Sequence, residues 1–240
     1  MMRLIVNADD FGYSESVNDA IKVLFANRRL TSSTIMMNQV ATDDAVSYAN
    51  QQKHRQFGLH LNLDEGNFLS NPERKLKFAV NYRNLSLEFL EENLFDYWKE
   101  IDEQIRIATT AFHVTHLDGH HHIHTFPLFW YPVMRAAQQN SIPAIRNAYT
   151  YFANDRFPKK LMKNFFRKLV AARCIRTTDY FFSIDYFMSN LDKVLKLPVS
   201  STIELMCHPD ISKPKDFNTL MSKEFAEILQ KFNCISFVDI

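Results

Sequence analysis

The chain has 240 residues, 46% of them hydrophobic and 23% charged, with a formal net charge of +1. That balance suits one soluble domain with a large core and gives no reason to expect a nucleic-acid binder. No run approaches the roughly 20 apolar residues that span a bilayer. The N-terminus lacks a signal-peptide core, and three scattered cysteines (Cys174, Cys207, Cys234) form no disulfide framework, so a cytoplasmic protein is expected.

Short β-like runs alternate with helical patterns. Arg3 to Asn7 reads as a buried strand, and Ser14 and Ser16 precede a helix with Val17, Ala20, Ile21 and Leu24 on one face. Thr34 to Met37 reads as a second strand, with Thr42-Asp43 capping a helix that carries Ala45, Val46 and Ala49. Phe57 to Leu63 alternates as a third strand, and residues 64–85 read as a long irregular loop. After Ser86, Leu87, Leu90, Leu94, Tyr97, Ile101, Ile105 and Ala108 keep helical spacing.

Val114 to Asp118 gives a fourth strand, and Pro127 suits the first turn of the next helix. Short strands are expected at Pro143 to Arg146, Thr202 to Met206 and Ile235 to Val238, with a helix from Ser222 to Lys231 before the last. The alternation predicts βαβ units around a parallel sheet, either doubly wound or closed as a barrel. With no repeat or linker composition, residues 1–240 read as a single domain.

The segment from Arg156 to Arg176 holds eight Lys or Arg and no acid. A nucleic-acid or membrane patch is one reading. A solvated face balanced by the acidic helix Glu88 to Glu103 is the reading favoured by the near-zero net charge, so neither partner is expected.

Glycine is scarce, four residues where average usage gives about 17. Each of the four, Gly12, Gly58, Gly66 and Gly119, lies near a candidate chemical motif. Asp9 and Asp10 leave the first strand together in Asn-Ala-Asp-Asp-Phe-Gly. Two unpaired carboxylates do not belong in a core, and the end of a parallel strand is where such folds place active sites. A helix cap plus a solvent-facing acid is the plainer alternative.

Five of nine histidines fall in Thr-His-Leu-Asp-Gly-His-His-His-Ile-His, residues 115–124. Extended backbone would put His116, Asp118 and His120 on one face. A helical turn after Gly119 would instead converge His120 and His124. Clustered imidazoles point to a metal. His60, within an apolar run, reads alone as a hydrogen-bonded core residue but gains meaning beside the other groups. His208 and Arg146 each end a short apolar run as well, so the polar residues share strand exits.

These segments resemble the YdjC-like carbohydrate deacetylases, the family of chitooligosaccharide deacetylases. The likeness rests on Val-Asn-Ala-Asp-Asp-Phe-Gly (6–12), Gly-Leu-His-Leu (58–61), the histidine segment (115–124) and Glu-Leu-Met-Cys-His-Pro (204–209). It implies a distorted (β/α) barrel with a mostly parallel sheet, related to polysaccharide deacetylases. It also implies one divalent cation, Mg2+ or Zn2+, held by Asp10, His60 and His120, with Asp9 as general base and His208 as acid. The substrate would be an N-acetylated sugar or short oligosaccharide. Arg146 is expected to keep Asp9 ionised.

The loop 64–85 and the aromatic stretch Tyr180 to Phe187 are expected to help line a sugar groove. A homodimer is the base-rate assembly. Competing readings are a different metal hydrolase such as a phosphoesterase, suggested by His122-Ile123-His124, and a non-catalytic metal-binding protein.

Overall fold

The computed structural model describes residues 1–53, 56–76, 87–147 and 157–240. Residues 77–85 of the expected loop, the Leu87 and Leu90 side chains and Arg156 of the basic stretch lie outside the described part.

In chain order the elements are β1 (Arg3–Phe11), α1 (Glu15–Ala26), β2 (Ser32–Ile35), α2 (Thr42–Gln51), β3 (Phe57–Leu61), α3 (Leu87–Ala111), β4 (Leu117–Gly119) and α4 (Pro127–Gln139). Then come α5 (Phe157–Ala172), β5 (Tyr180–Ser183), α6 (Ile184–Ser189), α7 (Leu191–Val194), β6 (Thr202–Cys207), α8 (Lys215–Met221), α9 (Lys223–Leu229) and β7 (Asn233–Cys234). Local chemistry starts the helices. The Ser14 side chain accepts from the Val17 N–H at the head of α1, and Ser222 does the same for Phe225 at α9. Pro127 opens α4, where its missing N–H is not needed.

The strands pair in parallel in the order β4-β3-β2-β1-β6-β5, with β7 beside the first residues of β1. Two single bridges extend this path, Leu117 to Ile145 and Ala144 to Arg176. Arg176 lies just ahead of β5, so the pairing curls back toward its own start as a distorted (β/α) barrel.

Strands β2, β3 and β6 are buried on both faces, as parallel strands between a barrel interior and a helical layer must be. Parity sorts the side chains. Leu4, Val6, Ala8, Phe57, Leu59, Leu61, Ile203 and Leu205 join the main core with the helices. Ile5, Ala144 and Phe237 form a small separate cluster, and the alternate positions Asn7, Asp9, His60 and Glu204 face the interior with it.

Four expectations shift. β1 runs on through Asp9 and Asp10 to Phe11, because a register irregularity between Ala8 and Phe11 lets the strand bulge instead of ending. β2 begins at Ser32, two residues early. Residues 143–146 make only isolated bridges. The expected strand at Ile235 to Val238 is instead a single helical turn at Phe237–Asp239, closed by a reciprocal cap between Ser236 and Asp239.

Candidate metal centre

The bulge in β1 separates two adjacent carboxylates. Asp10 takes a left-handed backbone with φ of 65°, uncommon for a residue with a side chain. Asp9 turns into the barrel while Asp10 faces the cleft above it. Gly12, at φ of 97°, carries the chain out of the strand, and its N–H donates to Asn18 Oδ1 at 2.7 Å.

Asp9 is 1% exposed while the Asp10 side chain stays 17% exposed, so the two carboxylates do not both enter the core, and the buried one is paired. Its partner lies 137 residues away. Arg146 Nη1 donates to Asp9 Oδ2 at 2.7 Å and Nη2 to Oδ1 at 2.6 Å, a two-pronged pair. Asn7 Nδ2 donates to Oδ1 at 2.9 Å. Burial alone would raise the Asp9 pKa, but the Arg146 charge and hydrogen bonds outweigh it and hold the carboxyl below the usual range.

The same guanidinium serves two more acids. Its Nε donates to Glu204 Oε1 at 2.6 Å, and Nη2 lies 2.7 Å from Asp118 Oδ2. Glu204 was not anticipated from sequence, where it reads as an ordinary strand residue. Burial, opposed by Arg146 and reinforced by Asp118 and Asp9, pushes its pKa up to about 7. Its Oε2 is buried with no hydrogen-bond partner.

Asp118 links this cluster to the histidines. His60 Nδ1 donates to Asp118 Oδ1 at 2.7 Å, and Thr34 Oγ1 donates to Oδ2 at 3.0 Å. The other ring nitrogen of His60, Nε2, is 3.1 Å from Asp10 Oδ1, and His120 Nδ1 is also 3.1 Å from that oxygen. The rings are 5.6 Å apart and steeply inclined. Burial lowers the His60 pKa, yet Asp118 and Asp10 outweigh it and set it well above the ordinary histidine value. Positive charge is therefore favoured between these groups.

The residues fit a cation. The ligand atoms of Asp10, His60 and His120 lie within 4.8 Å of one another. His60 Nε2 is buried with no hydrogen-bond partner, while its Nδ1–H is committed to a carboxylate. That is the supporting arrangement of metal-ligating histidines. Mixed nitrogen and oxygen donors suit zinc and, with added water, magnesium.

The remaining histidines divide. After Gly119 the chain makes a 3-10 turn interrupted at His121 and His122, both left-handed, so His120 and His124 do not converge. His124 is buried against Phe166. His116 stacks flat on Phe237, centroids 3.7 Å apart, with Nε2 3.3 Å from Asn7 Oδ1. His208 is 49% exposed, with Nε2 3.9 Å from Asp9 Oδ2.

The cleft over the metal group is lined by Tyr13, Val17, Glu65, His121, His208 and Lys213, among others. Phe181, Phe182 and Phe187 instead pack into the core, with Phe181 under Arg146. The apolar strand face that looked like a groove wall is interior lining. Glu65, from the expected loop, does reach the cleft.

A curled parallel α/β sheet with an acid and two imidazoles at its strand exits defines a barrel with a candidate cation centre. The chain belongs to the YdjC-like protein family, whose sequence model matches residues 3–231. It is 26% identical over 268 aligned positions, all of both chains, to a carbohydrate deacetylase of Clostridium beijerinckii. It is 30% identical to that of Halalkalibacterium halodurans over 87% of this chain and 85% of the other. A solved structure from Enterococcus faecalis V583, provisionally described as a cellobiose-phosphate cleavage protein, shares the fold with a TM-score of 0.75. It is 20% identical, with 99% of this chain and 98% of the other covered.

Proposed function

We propose that this protein is a metal-dependent carbohydrate deacetylase that hydrolyses the N-acetyl group of an N-acetylated sugar or short oligosaccharide. The observation that carries the reading is the convergence of Asp10, His60 and His120 within 4.8 Å. The carbohydrate deacetylases among its relatives support it.

A divalent cation held by Asp10, His60 and His120 would supply Lewis acidity, lowering the pKa of water and polarising the acetyl carbonyl. Asp9 is kept ionised and oriented by Arg146, and it stands next in sequence to a ligand. In this role it accepts the proton of the attacking water. In this reading His208, whose Nε2 is 3.9 Å from Asp9 and which lines the cleft, delivers that proton to the departing sugar nitrogen, releasing acetate and the free amine.

Three free cysteines are consistent with a reducing, cytoplasmic setting. Among the described residues no helix is long and apolar enough to cross a membrane.

The direct test is acetate release from N-acetylated mono-, di- and trisaccharides by the protein loaded with Mg2+ or Zn2+. No release from any of them, with the ion demonstrably bound, overturns the proposal. Asp9→Asn should lower the rate at least a hundredfold while leaving the ion in place.

A further inference from the structure

The two imidazoles of the metal centre are supported unequally. His60 has Asp118 directly behind it, at 2.7 Å. His120 points Nδ1 toward Asp10, and its Nε2 is buried without a hydrogen-bond partner. The carboxylate that faces this nitrogen is Glu65, with Oε1 at 3.6 Å. That is too long for a hydrogen bond, but the Glu65 side chain is 40% exposed, and rotation about its own bonds closes the gap. Tyr13 lines the same cleft mouth as Glu65.

The loop that carries Glu65 is built to hold this position. Asn62 Oδ1 accepts from the N–H groups of Asp64 and Glu65, at 3.3 and 3.1 Å, and its Nδ2 donates to the Glu65 carbonyl at 2.7 Å. Gly66, at φ of 83°, allows the turn that follows. One residue earlier, Asp64 Oδ2 accepts from His121 Nδ1 at 2.5 Å. This contact pins the turn in which His121 and His122 adopt left-handed backbone, a strained conformation that needs an external hold.

We propose that Glu65 is the outer carboxylate of the second histidine ligand. With His120 Nδ1 turned to the cation, its Nε2–H donates to Glu65, while Asp64 fixes the adjoining turn through His121. This deepens the metal-centre reading above and rests on it. Such a partner fixes the tautomer and ring angle of a ligand and raises its basicity. The asymmetry has a consequence. Asp118 is wholly buried and shared with Arg146, so His60 is the rigid ligand. Glu65 faces solvent, so His120 is the adjustable one.

The test is competition of Zn2+ or Mn2+ against a fluorescent chelator, using the full chain and its Glu65→Ala and Glu65→Gln variants. Outer-shell partners typically change affinity by about 10–100-fold, and an exposed carboxylate belongs at the low end. Glu65→Ala should bind the ion about tenfold more weakly. Glu65→Gln, which keeps an acceptor and loses the charge, should fall between that variant and the wild type. Melting temperatures of the chelator-treated proteins should agree. An Ala variant within twofold of wild type overturns the proposal. So does a stoichiometry of two ions that drops to one, since Glu65 would then be a ligand itself. A wild-type chain that takes up no divalent ion overturns the metal centre as a whole, an outcome distinct from a failure of Glu65 alone.

Discussion

Replacing Arg146 with methionine tests the electrostatic architecture beneath the cleft. The guanidinium contacts Asp9, Asp118 and Glu204 within 2.7 Å, and all four side chains are almost fully buried. Methionine approximates the length and removes the charge, leaving the buried carboxylates without the cation they share. Removing one partner of a buried ion pair costs about 3–5 kcal/mol. For a chain of this size that is a fall in Tm of roughly 6–20 °C.

The deficit should depend on pH in a defined direction. In the wild type, Asp9 has a folded pKa below its unfolded value. Its contribution is thus present above the unfolded value and lost as pH falls. In Arg146→Met burial, the largest influence, is opposed only by the smaller effects of His60 and His208, so the folded pKa rises, and the penalty grows with pH and fades on acidification. Urea or thermal unfolding of both proteins at pH 5 and pH 8 measures this. A variant within 1 kcal/mol of wild type at pH 8, or a deficit unchanged at pH 5, refutes the reasoning.

Glu204 has the opposite sign. Its folded pKa of about 7 lies above the ordinary glutamate value of 4.5, so its stabilising contribution is intact below the unfolded value and lost as pH rises toward 7. Glu204→Gln should therefore gain on wild type by up to about 3 kcal/mol between pH 4.5 and 8, read from paired melting curves. Asp118→Asn keeps the shape but frees the His60 tautomer, and should weaken divalent-cation binding by about 10–100-fold in a chelator competition. Gly58→Ala would place a Cβ 2.5 Å from the His116 ring and 2.7 Å from its carbonyl oxygen. A shift of β3 against the neighbouring chain should cost about 1–3 kcal/mol in urea unfolding.

Much of the site was legible because its parts are local. The histidine segment, the Asp9-Asp10 pair and His60 stand out by residue type, and strand exits in a parallel α/β fold gather such groups at one end. The roles of Asp118 and Glu204 were hidden because a carboxylate inside a strand has meaning only through what faces it. Arg146 faces both, from a segment that makes only isolated bridges. The stretch at Ile235 to Val238 carries a strand's composition, yet the Ser236–Asp239 cap turns it so that Phe237 can slide under His116.

The amino-acid order alone determined the alternating parallel architecture, the helix starts and the chemical types available at the strand ends, because these follow from periodicity, capping and composition over a few residues. Only the tertiary structure decided that Asp9 lies buried and paired while Asp10 faces the cleft. It also decided which histidines meet, and that one arginine balances three acids. Those outcomes depend on a strand bulge, on two left-handed residues and on contacts between positions up to 137 apart, where electrostatics across the barrel, not local preference, sets the arrangement.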